Sequence, residues 1–228
     1  MTTPPRTRRQ QALTVPPGAT PEMSALVSAL RDRRSTAVAI IIAVNVAVLI
    51  LMEVTGGSTR LSNLIRFGAK DNDLVAAGQY WRLFTSMFLH IGFIHLVFNS
   101  LALWTFGRDL ERVYGTGRFL LLYLLPGLAG SYASFRFSPY VSAGASGAIF
   151  GLIGVSLVFG FKYRSAIPVQ LRSRFGTGVI PVIAYNVLYG LNPRSHIDNF
   201  AHLGGLAAGI LLALVLPAAF DIEDPLIR

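Results

Sequence analysis

Long apolar segments alternate with short polar ones from residue 36 onward, and this alternation is the strongest pattern in the chain. Six apolar segments are long enough, or nearly so, to cross a bilayer as helices of about 20 residues. Their predicted bounds are 36–54, 86–107, 117–135, 144–161, 175–191 and 198–218. The pattern predicts an all-α membrane protein in which one domain, residues 36–218, forms a bundle of six transmembrane helices.

The segments outside these helices differ in character. Residues 1–35 are rich in Pro, Thr and Arg, which predicts a disordered tail with at most a short surface helix at 23–30. Residues 219–228 form a second tail. The connection at 55–85 is the only one long enough to hold structure of its own. Its mixture of apolar and charged residues predicts a long, structured first loop with interfacial helices.

The composition agrees with a membrane protein. Hydrophobic residues make up 53% of the chain and charged residues only 14%, whereas a soluble domain carries about 25% charged residues. Because the chain has no cysteine, disulfides, thiolate zinc sites and cysteine nucleophiles are excluded. We expect no cofactor and no bound metal.

The net charge of +9 indicates topology rather than nucleic-acid binding, since the basic residues fall in short runs between apolar segments. Lys and Arg concentrate before the first span and after the second and fourth. The loops after the third and fifth spans carry one arginine each, Arg136 and Arg194. The first loop fits less well, because its basic residues are only partly offset by aspartates. The pattern predicts a multi-pass protein of the cell membrane with both termini in the cytoplasm.

Polar residues cluster at one depth in this topology. Spans two, four and six enter from the outer face, so polar groups in their first turns lie equally close to the outer surface. Span two carries His90, His95 and Asn99, span four carries Ser146, and span six carries His202. Ionisable residues inside a membrane are costly, and their default interpretation is functional.

Each of these residues also has an ordinary structural interpretation. A lone Ser146 would pack as a small residue or bond back to a carbonyl one turn earlier. His95 and Asn99, one helical turn apart, would join neighbouring helices. His202 alone is compatible with a packing residue, a metal ligand or a proton relay. His196, in a short outer loop, is expected to be an ordinary surface residue.

Taken together, the residues favour nucleophilic catalysis. A serine nucleophile needs a base within hydrogen-bond reach, and His202 lies at the matching depth on a parallel helix. Gly147 on span four and the GxxxG pair Gly205 and Gly209 on span six are small faces that let helix backbones approach. The sequence therefore predicts that Ser146 and His202 meet where these helices touch.

Acyl transfer also needs donors for the developing oxyanion. His95, Asn99 and the backbone N–H of Ser146 are the candidates. The carboxylate nearest to His202 in the sequence is Asp198, one turn away and at the membrane edge, so we expect a Ser–His dyad rather than a triad.

Three other chemistries fit less well. The nucleophile elbow of soluble hydrolases needs G-x-S-x-G after a strand, whereas residue 148 is alanine and no strand precedes it. A metal site would lack carboxylate ligands in this cluster. A transporter or channel would need polar groups across the whole membrane thickness, whereas here they concentrate near one face, with Asn186 as the main exception.

Several short motifs stand in the order found in the rhomboid family of intramembrane serine proteases, which the chain resembles over approximately residues 77–215. The matching motifs are Trp81 and Arg82 in the first loop, H-x4-H-x3-N at His90, His95 and Asn99, G-x-S-G at Gly144, Ser146 and Gly147, and the span-six motif with His202, Gly205 and Gly209. Each motif is short, and their common order makes the resemblance specific.

The resemblance implies a role for each residue. Ser146 would be the nucleophile, His202 the general base and acid, and His95 and Asn99 part of the oxyanion hole. Phe150 stands where the family often has tyrosine, and its ring would pack on His202. His90 would support the loop, and Gly144 would leave room around the nucleophile.

The implied substrates are transmembrane segments of other proteins, cut near the outer face of the bilayer. A catalytically silent rhomboid-like protein that binds transmembrane clients is the alternative, although such relatives generally lack the serine or the histidine.

Overall fold

The protein, seen in a computed structural model, is described over residues 15, 17–192, 195 and 197–220. Within these residues the structure is helical and contains no β-strand, which confirms the predicted all-α class. One isolated antiparallel bridge joins Lys70 to Ser142.

The helices are labelled here in chain order. They are α1 (Pro21–Asp32), α2 (Thr36–Val54), α3 (Leu61–Phe67), α4 (Asn72–Ala76), α5 (Arg82–Thr85), α6 (Gly92–Ala102), α7 (Arg108–Tyr114), α8 (Thr116–Phe137), α9 (Ser146–Lys162), α10 (Ile180–Gly190) and α11 (Asn199–Val215). Turns of 3₁₀-helix occupy Ser86–Phe88, Val169–Arg174 and Gly176–Val179, and one π-helical turn occupies Leu103–Gly107.

The predicted apolar segments correspond closely to α2, α8, α9 and α11, whereas two others differ. The fifth was expected from residue 175, but 3₁₀ turns delay α10 to Ile180. The second is not one straight helix, because Arg82–Phe88 and Gly92–Tyr114 meet at a bend of 89°. Gly92 at this bend has φ of 80°, a left-handed conformation that favours glycine.

Length and apolar composition identify fewer membrane spans than the sequence pattern predicts. Within the described residues, the helical stretch Pro21–Val54 is long and apolar enough to cross a bilayer, and the bent pair Arg82–Phe88 with Gly92–Tyr114 passes the same test if taken as one span. Helices α9 and α11 are apolar but have only 17 residues each. The count of six spans therefore stays a prediction.

Helix α1 corrects the prediction of a disordered tail over residues 1–35. Its N-terminus is capped by Thr20, whose hydroxyl accepts from Met23 N at 3.2 Å. Leu26 and Leu30, one turn apart on the same face, are buried against the core beside Val113 of α7. Burial of this apolar face stabilises the packing of α1 on the rest of the protein, so α1 is part of the fold and is not a helix that merely lies on the surface.

Other predictions fall on residues that the structure does not describe. They are the disorder of residues 1–14 and 16, the character of the tail after residue 220, and the surface placement of His196.

Helix α2 begins at Thr36 because a distant carboxylate caps it. Ser35 makes no side-chain capping bond. Instead, the buried carboxylate of Glu111 accepts from Ala37 N at 2.8 Å and from Val38 N at 3.0 Å. A carboxylate at a helix N-terminus satisfies unpaired N–H groups and stabilises the helix dipole.

Three helices, α8, α9 and α11, meet at backbone contact. A Cβ atom on Gly205 would lie 2.0 Å from Gly147 O, and one on Gly209 would lie 2.0 Å from Gly151 O. On α8, a Cβ on Gly130 would lie 2.5 Å from Ala201 O. Only glycine permits such an approach, and it brings the N-terminal ends of α9 and α11 together.

Candidate active site

Ser146 is the first residue of α9, at the end of an extended segment. Gly144, two residues earlier, has φ of 141°, and its N–H donates to Ser86 O at 2.9 Å. The side chain of Ser146 is half-buried. Because Ser146 begins the helix, its own N–H is among those without an intrahelical acceptor and points out of the helix end.

The ring of His202 is held against the helix that Ser146 begins. His202 is 5% exposed, and its ring stacks on Phe150 with centroids 4.0 Å apart and an angle of 11°. Phe150 lies one turn after Ser146 on α9. The structure therefore brings His202 and the N-terminal end of α9 together, and the Phe150 ring fixes the plane of the imidazole.

The carboxylate of Asp198 makes no hydrogen bond to the His202 ring within the described residues. One oxygen accepts from Ala201 N at 3.0 Å, and the other accepts from the hydroxyl of Ser134. Asp198 is thus the N-cap of α11. His202 Nδ1 is buried and has no hydrogen-bond partner among the described residues.

His95 borders the same space as Ser146. A Cβ atom built on Gly144 would lie 2.8 Å from His95 Cε1, 3.0 Å from His95 Nε2 and 3.8 Å from Ser146 Oγ. The Nδ1 atom of His95 accepts from Ile91 N at 3.2 Å. A neutral imidazole that accepts at Nδ1 carries its proton on Nε2, so the N–H donor is on the side that faces Gly144.

Asn99 and His90 sit behind His95. Asn99 Nδ2 donates to His95 O at 3.0 Å, one turn earlier in α6, which uses one of its two N–H groups. His90 is fully buried, and its ring meets the His95 ring edge-on with centroids 5.2 Å apart. Both residues contact His95, and neither makes a hydrogen bond to Ser146 within the described residues.

Residues 77–219 match the sequence model of a protein family that is described as "Rhomboid domain". The chain belongs to the rhomboid family. The resemblance drawn from the sequence motifs is therefore confirmed.

Similar proteins carry the rhomboid name. The rhomboid protease GluP of Bacillus subtilis (strain 168) is 50% identical over 175 residues, which cover 77% of this chain and 34% of GluP. The putative rhomboid protease YdcA of the same organism is 43% identical over 143 residues, 62% of this chain and 69% of YdcA. The rhomboid protease AarA of Providencia stuartii is 33% identical over 178 residues, 68% of this chain and 63% of AarA. The chain thus spans about a third of GluP and about two thirds of the other two.

The loop motif that this chain shares with rhomboids braces the segment of residues 55–85. Arg82 is buried, and its Nη1 atom donates to Ile65 O at 2.7 Å and to Ala69 O at 3.2 Å. Its guanidinium lies 4.6 Å from the centroid of the Trp81 ring, in a cation–π contact. This pair holds α3 against α5, and within the described residues it makes no hydrogen bond to Ser146 or His202.

Among the residues that the structure describes, no group of three or more His, Cys, Asp or Glu side chains is arranged to hold a metal ion.

The sequence does not indicate two residues that connect the segments leading to the site, Lys70 and Ser134. Their contacts join segments far apart in the chain, and no local pattern around either residue indicates these partners.

Proposed function

We propose that this protein is an intramembrane serine endopeptidase of the rhomboid type, which cuts transmembrane segments of other proteins near the outer face of the bilayer. One observation carries the proposal: His202 stacks on Phe150, one turn along the helix that Ser146 begins. The names of GluP and AarA as rhomboid proteases support it. We propose the corresponding topology as well, with six spans in the cell membrane and both termini in the cytoplasm.

In the proposed reaction, Ser146 Oγ attacks the scissile carbonyl while His202 takes its proton, and His202 then gives that proton to the leaving amine. Water, deprotonated by His202, then hydrolyses the ester at Ser146, and the proton returns to Ser146 Oγ. The Nε2–H of His95 and the N–H of Ser146 would donate to the oxyanion, with Asn99 as a third donor. The contacts of Asp198 support a dyad, because both of its oxygens already accept bonds from Ala201 N and the Ser134 hydroxyl.

The substrate must present an extended peptide bond. In a helix, the backbone bonds to itself and its carbonyls are shielded, so a transmembrane segment has to unwind locally before a nucleophile reaches it. We therefore propose that segments with helix-weakening residues near the outer face are preferred.

Covalent labelling tests this function directly. Purified protein in detergent, treated with a fluorophosphonate, should be labelled at Ser146, because only a serine with an adjacent base becomes nucleophilic. Mass spectrometry of the labelled peptide locates the adduct. His202→Gln should lower the labelling rate by about 100-fold or more, since general-base catalysis contributes about 10²–10⁴-fold.

A catalytically silent client-binding protein gives the opposite result. Such a protein would leave Ser146 unlabelled under conditions in which a known serine protease reacts fully, and that outcome would overturn the proposal.

The reaction should depend on an aromatic ring at position 150, whether that ring belongs to phenylalanine or tyrosine. Phe150→Leu keeps an apolar side chain but removes the stack on His202, which is worth about 0.5–1.5 kcal/mol, so kcat should fall about 3- to 10-fold. Phe150→Tyr keeps the ring and should stay within about twofold of the wild type. The rate of cleavage of a transmembrane model substrate measures both. Equal rates for the leucine variant and the wild type would show that the stack does not orient His202.

A further inference from the structure

Lys70 is a buried cation that the proposed mechanism does not use. The chain has two lysines, Lys70 and Lys162, and Lys70 is 0% exposed. It lies between α3 and α4, outside the proposed spans. Burying an ammonium is costly unless it is paired and hydrogen-bonded, so its surroundings must compensate for the lost hydration.

Four oxygen atoms surround the Lys70 ammonium. The three N–H groups of its Nζ are shared among Tyr140 O at 2.6 Å, Asn72 Oδ1 at 2.9 Å, Ser138 O at 3.3 Å and Ser134 O at 3.4 Å, so one N–H group is divided between two acceptors. Two of these carbonyls lie at the C-terminal end of α8, where the helix dipole is negative. Ser138 O belongs to the C-cap residue, and Ser134 O also accepts from Ser138 N at 2.8 Å. An ammonium is the group that fits, because it has three donors and no acceptor.

The main chain of Lys70 holds the same segment. Lys70 N donates to Ser142 O at 2.9 Å, and Ser142 N donates to Lys70 O at 2.9 Å. The side chain and the backbone of this residue together fix residues 138–142. Ser146 follows Ser142 by four residues, so Lys70 sets the start of the path by which the chain reaches Ser146.

A second connection leads from Lys70 to the helix of His202. Ser134 accepts from Lys70 through its carbonyl, and its hydroxyl donates to Asp198. Asp198 in turn caps the first turn of α11 at Ala201 N. Burial lowers the pKa of Lys70, and the negative charges of Asp198 and Asp71 act against that shift.

We propose that Lys70 is a positioning residue for proteolysis, whose buried ammonium ties the segment that leads to Ser146 and the cap of the helix that carries His202 to one point. This inference rests on the proposed function. Ser146 and His202 come from separate helices, and their spacing depends on what fixes the N-terminal ends of both.

Lys70→Met tests the inference, with Lys162→Met as the matched control. Lys162 also donates to a main-chain carbonyl, Leu214 O at 3.4 Å, but it is exposed. In Lys70→Met, kcat per active site should fall about 10- to 100-fold while KM stays within about twofold, because a misplaced catalytic pair slows chemistry more than binding. Lys162→Met should match the wild type.

Titration of active sites separates positioning from folding. Fluorophosphonate labelling, driven to completion, counts the competent molecules in each preparation. If Lys70 only stabilised the fold, Lys70→Met would lower the labelled fraction and leave kcat per labelled site unchanged, which would overturn the inference.

A chemical rescue isolates the charge. Lys70→Cys introduces the only cysteine of the chain, so 2-bromoethylamine would rebuild an ammonium at the same length as lysine, and 1-bromopropane would build a neutral side chain of that length. Because residue 70 is buried in the native fold, the protein is alkylated while unfolded and is then refolded in detergent, and its mass verifies the modification. The aminoethyl form should recover kcat to within about threefold, and the propyl form should remain about tenfold or more below the wild type. Equal kcat values for the two forms would overturn the inference.

A milder variant covers the case in which Lys70→Met does not fold. Asn72→Ala removes one of the four acceptors and also the bond from Asn72 Nδ2 to Ser138 O at 2.9 Å. It should lower kcat about 2- to 5-fold, with KM unchanged, since one hydrogen bond to a charged group and one to the same segment are lost. An unchanged kcat in Asn72→Ala would overturn the inference in that case. If the wild type itself fails to cleave, the proposed function is wrong. If the wild type and Lys70→Met cleave equally, only the role of Lys70 is wrong.

Discussion

Ser146→Ala should lower kcat for a transmembrane model substrate by about 10⁴-fold or more, because loss of a serine nucleophile leaves only binding and oxyanion stabilisation. The fold should be unaffected, since Ser146 is half-buried at the first position of α9 and its hydroxyl makes no hydrogen bond within the described residues. Cleavage is measured with purified protein in detergent, from the rate at which fragments appear.

Ser156→Ala is the matched control. Ser156 lies on the same helix, is 1% exposed, and its hydroxyl has no hydrogen-bond partner within the described residues. Its removal should leave kcat near the wild-type value. A Ser146→Ala variant that cleaves as fast as the wild type would exclude the serine mechanism. If Ser146→Ala is inactive as expected, membrane-protein fragments that cells release with the wild type and not with Ser146→Ala identify natural substrates.

Gly205→Ala should destabilise the protein and nearly abolish its activity. The added Cβ would lie 2.0 Å from Gly147 O and 2.8 Å from Gly147 C. These are backbone atoms of α9, so no side chain can rotate away and the helices must separate. Overpacking of this kind costs about 1–3 kcal/mol, occasionally more. A lower midpoint of thermal unfolding measures the loss.

The same substitution should affect chemistry through His202, which lies one turn before Gly205 on α11. A shift of about 1 Å between the proposed catalytic side chains costs about 100-fold in rate. The control is Gly117→Ala on α8, where a Cβ would meet nothing within 4 Å. That variant should unfold at or slightly above the wild-type temperature, because alanine is the better helix former. An unchanged midpoint for Gly205→Ala would show that α9 and α11 do not pack at this distance.

Much of the candidate site was predictable because its patterns are local. A long run of apolar residues predicts a helix and its bounds, and α2 has the same bounds as the predicted segment 36–54. The spacing of Gly205 and Gly209 indicates which face of α11 carries small residues and lets another helix approach. His202 shares that face, so its approach to α9 was predictable as well.

Other parts of the site depend on contacts that no local pattern contains. The N–H of Ile91, at the bend before α6, donates to His95 Nδ1 and so leaves the proton of the His95 ring on Nε2. This bend interrupts a segment that the sequence predicts as one straight helix. Asp198 is available in the sequence as a partner for His202, and only its bonds to Ala201 N and Ser134 show that it is already used.

The sequence by itself determined the class of the fold, the family and the helix faces that carry the candidate catalytic residues, because periodicity and motif spacing are properties of neighbouring residues. The tertiary structure alone decided where α1 packs, how Glu111 caps α2 and what surrounds Lys70. The packing of α1 depends on the apolar surface that the other helices leave for it, and the other two features arise when a charged group must find hydrogen-bond partners after burial. Those partners lie up to 74 residues away in the chain, as with Glu111 and Ala37. They come within reach only when the helices pack together.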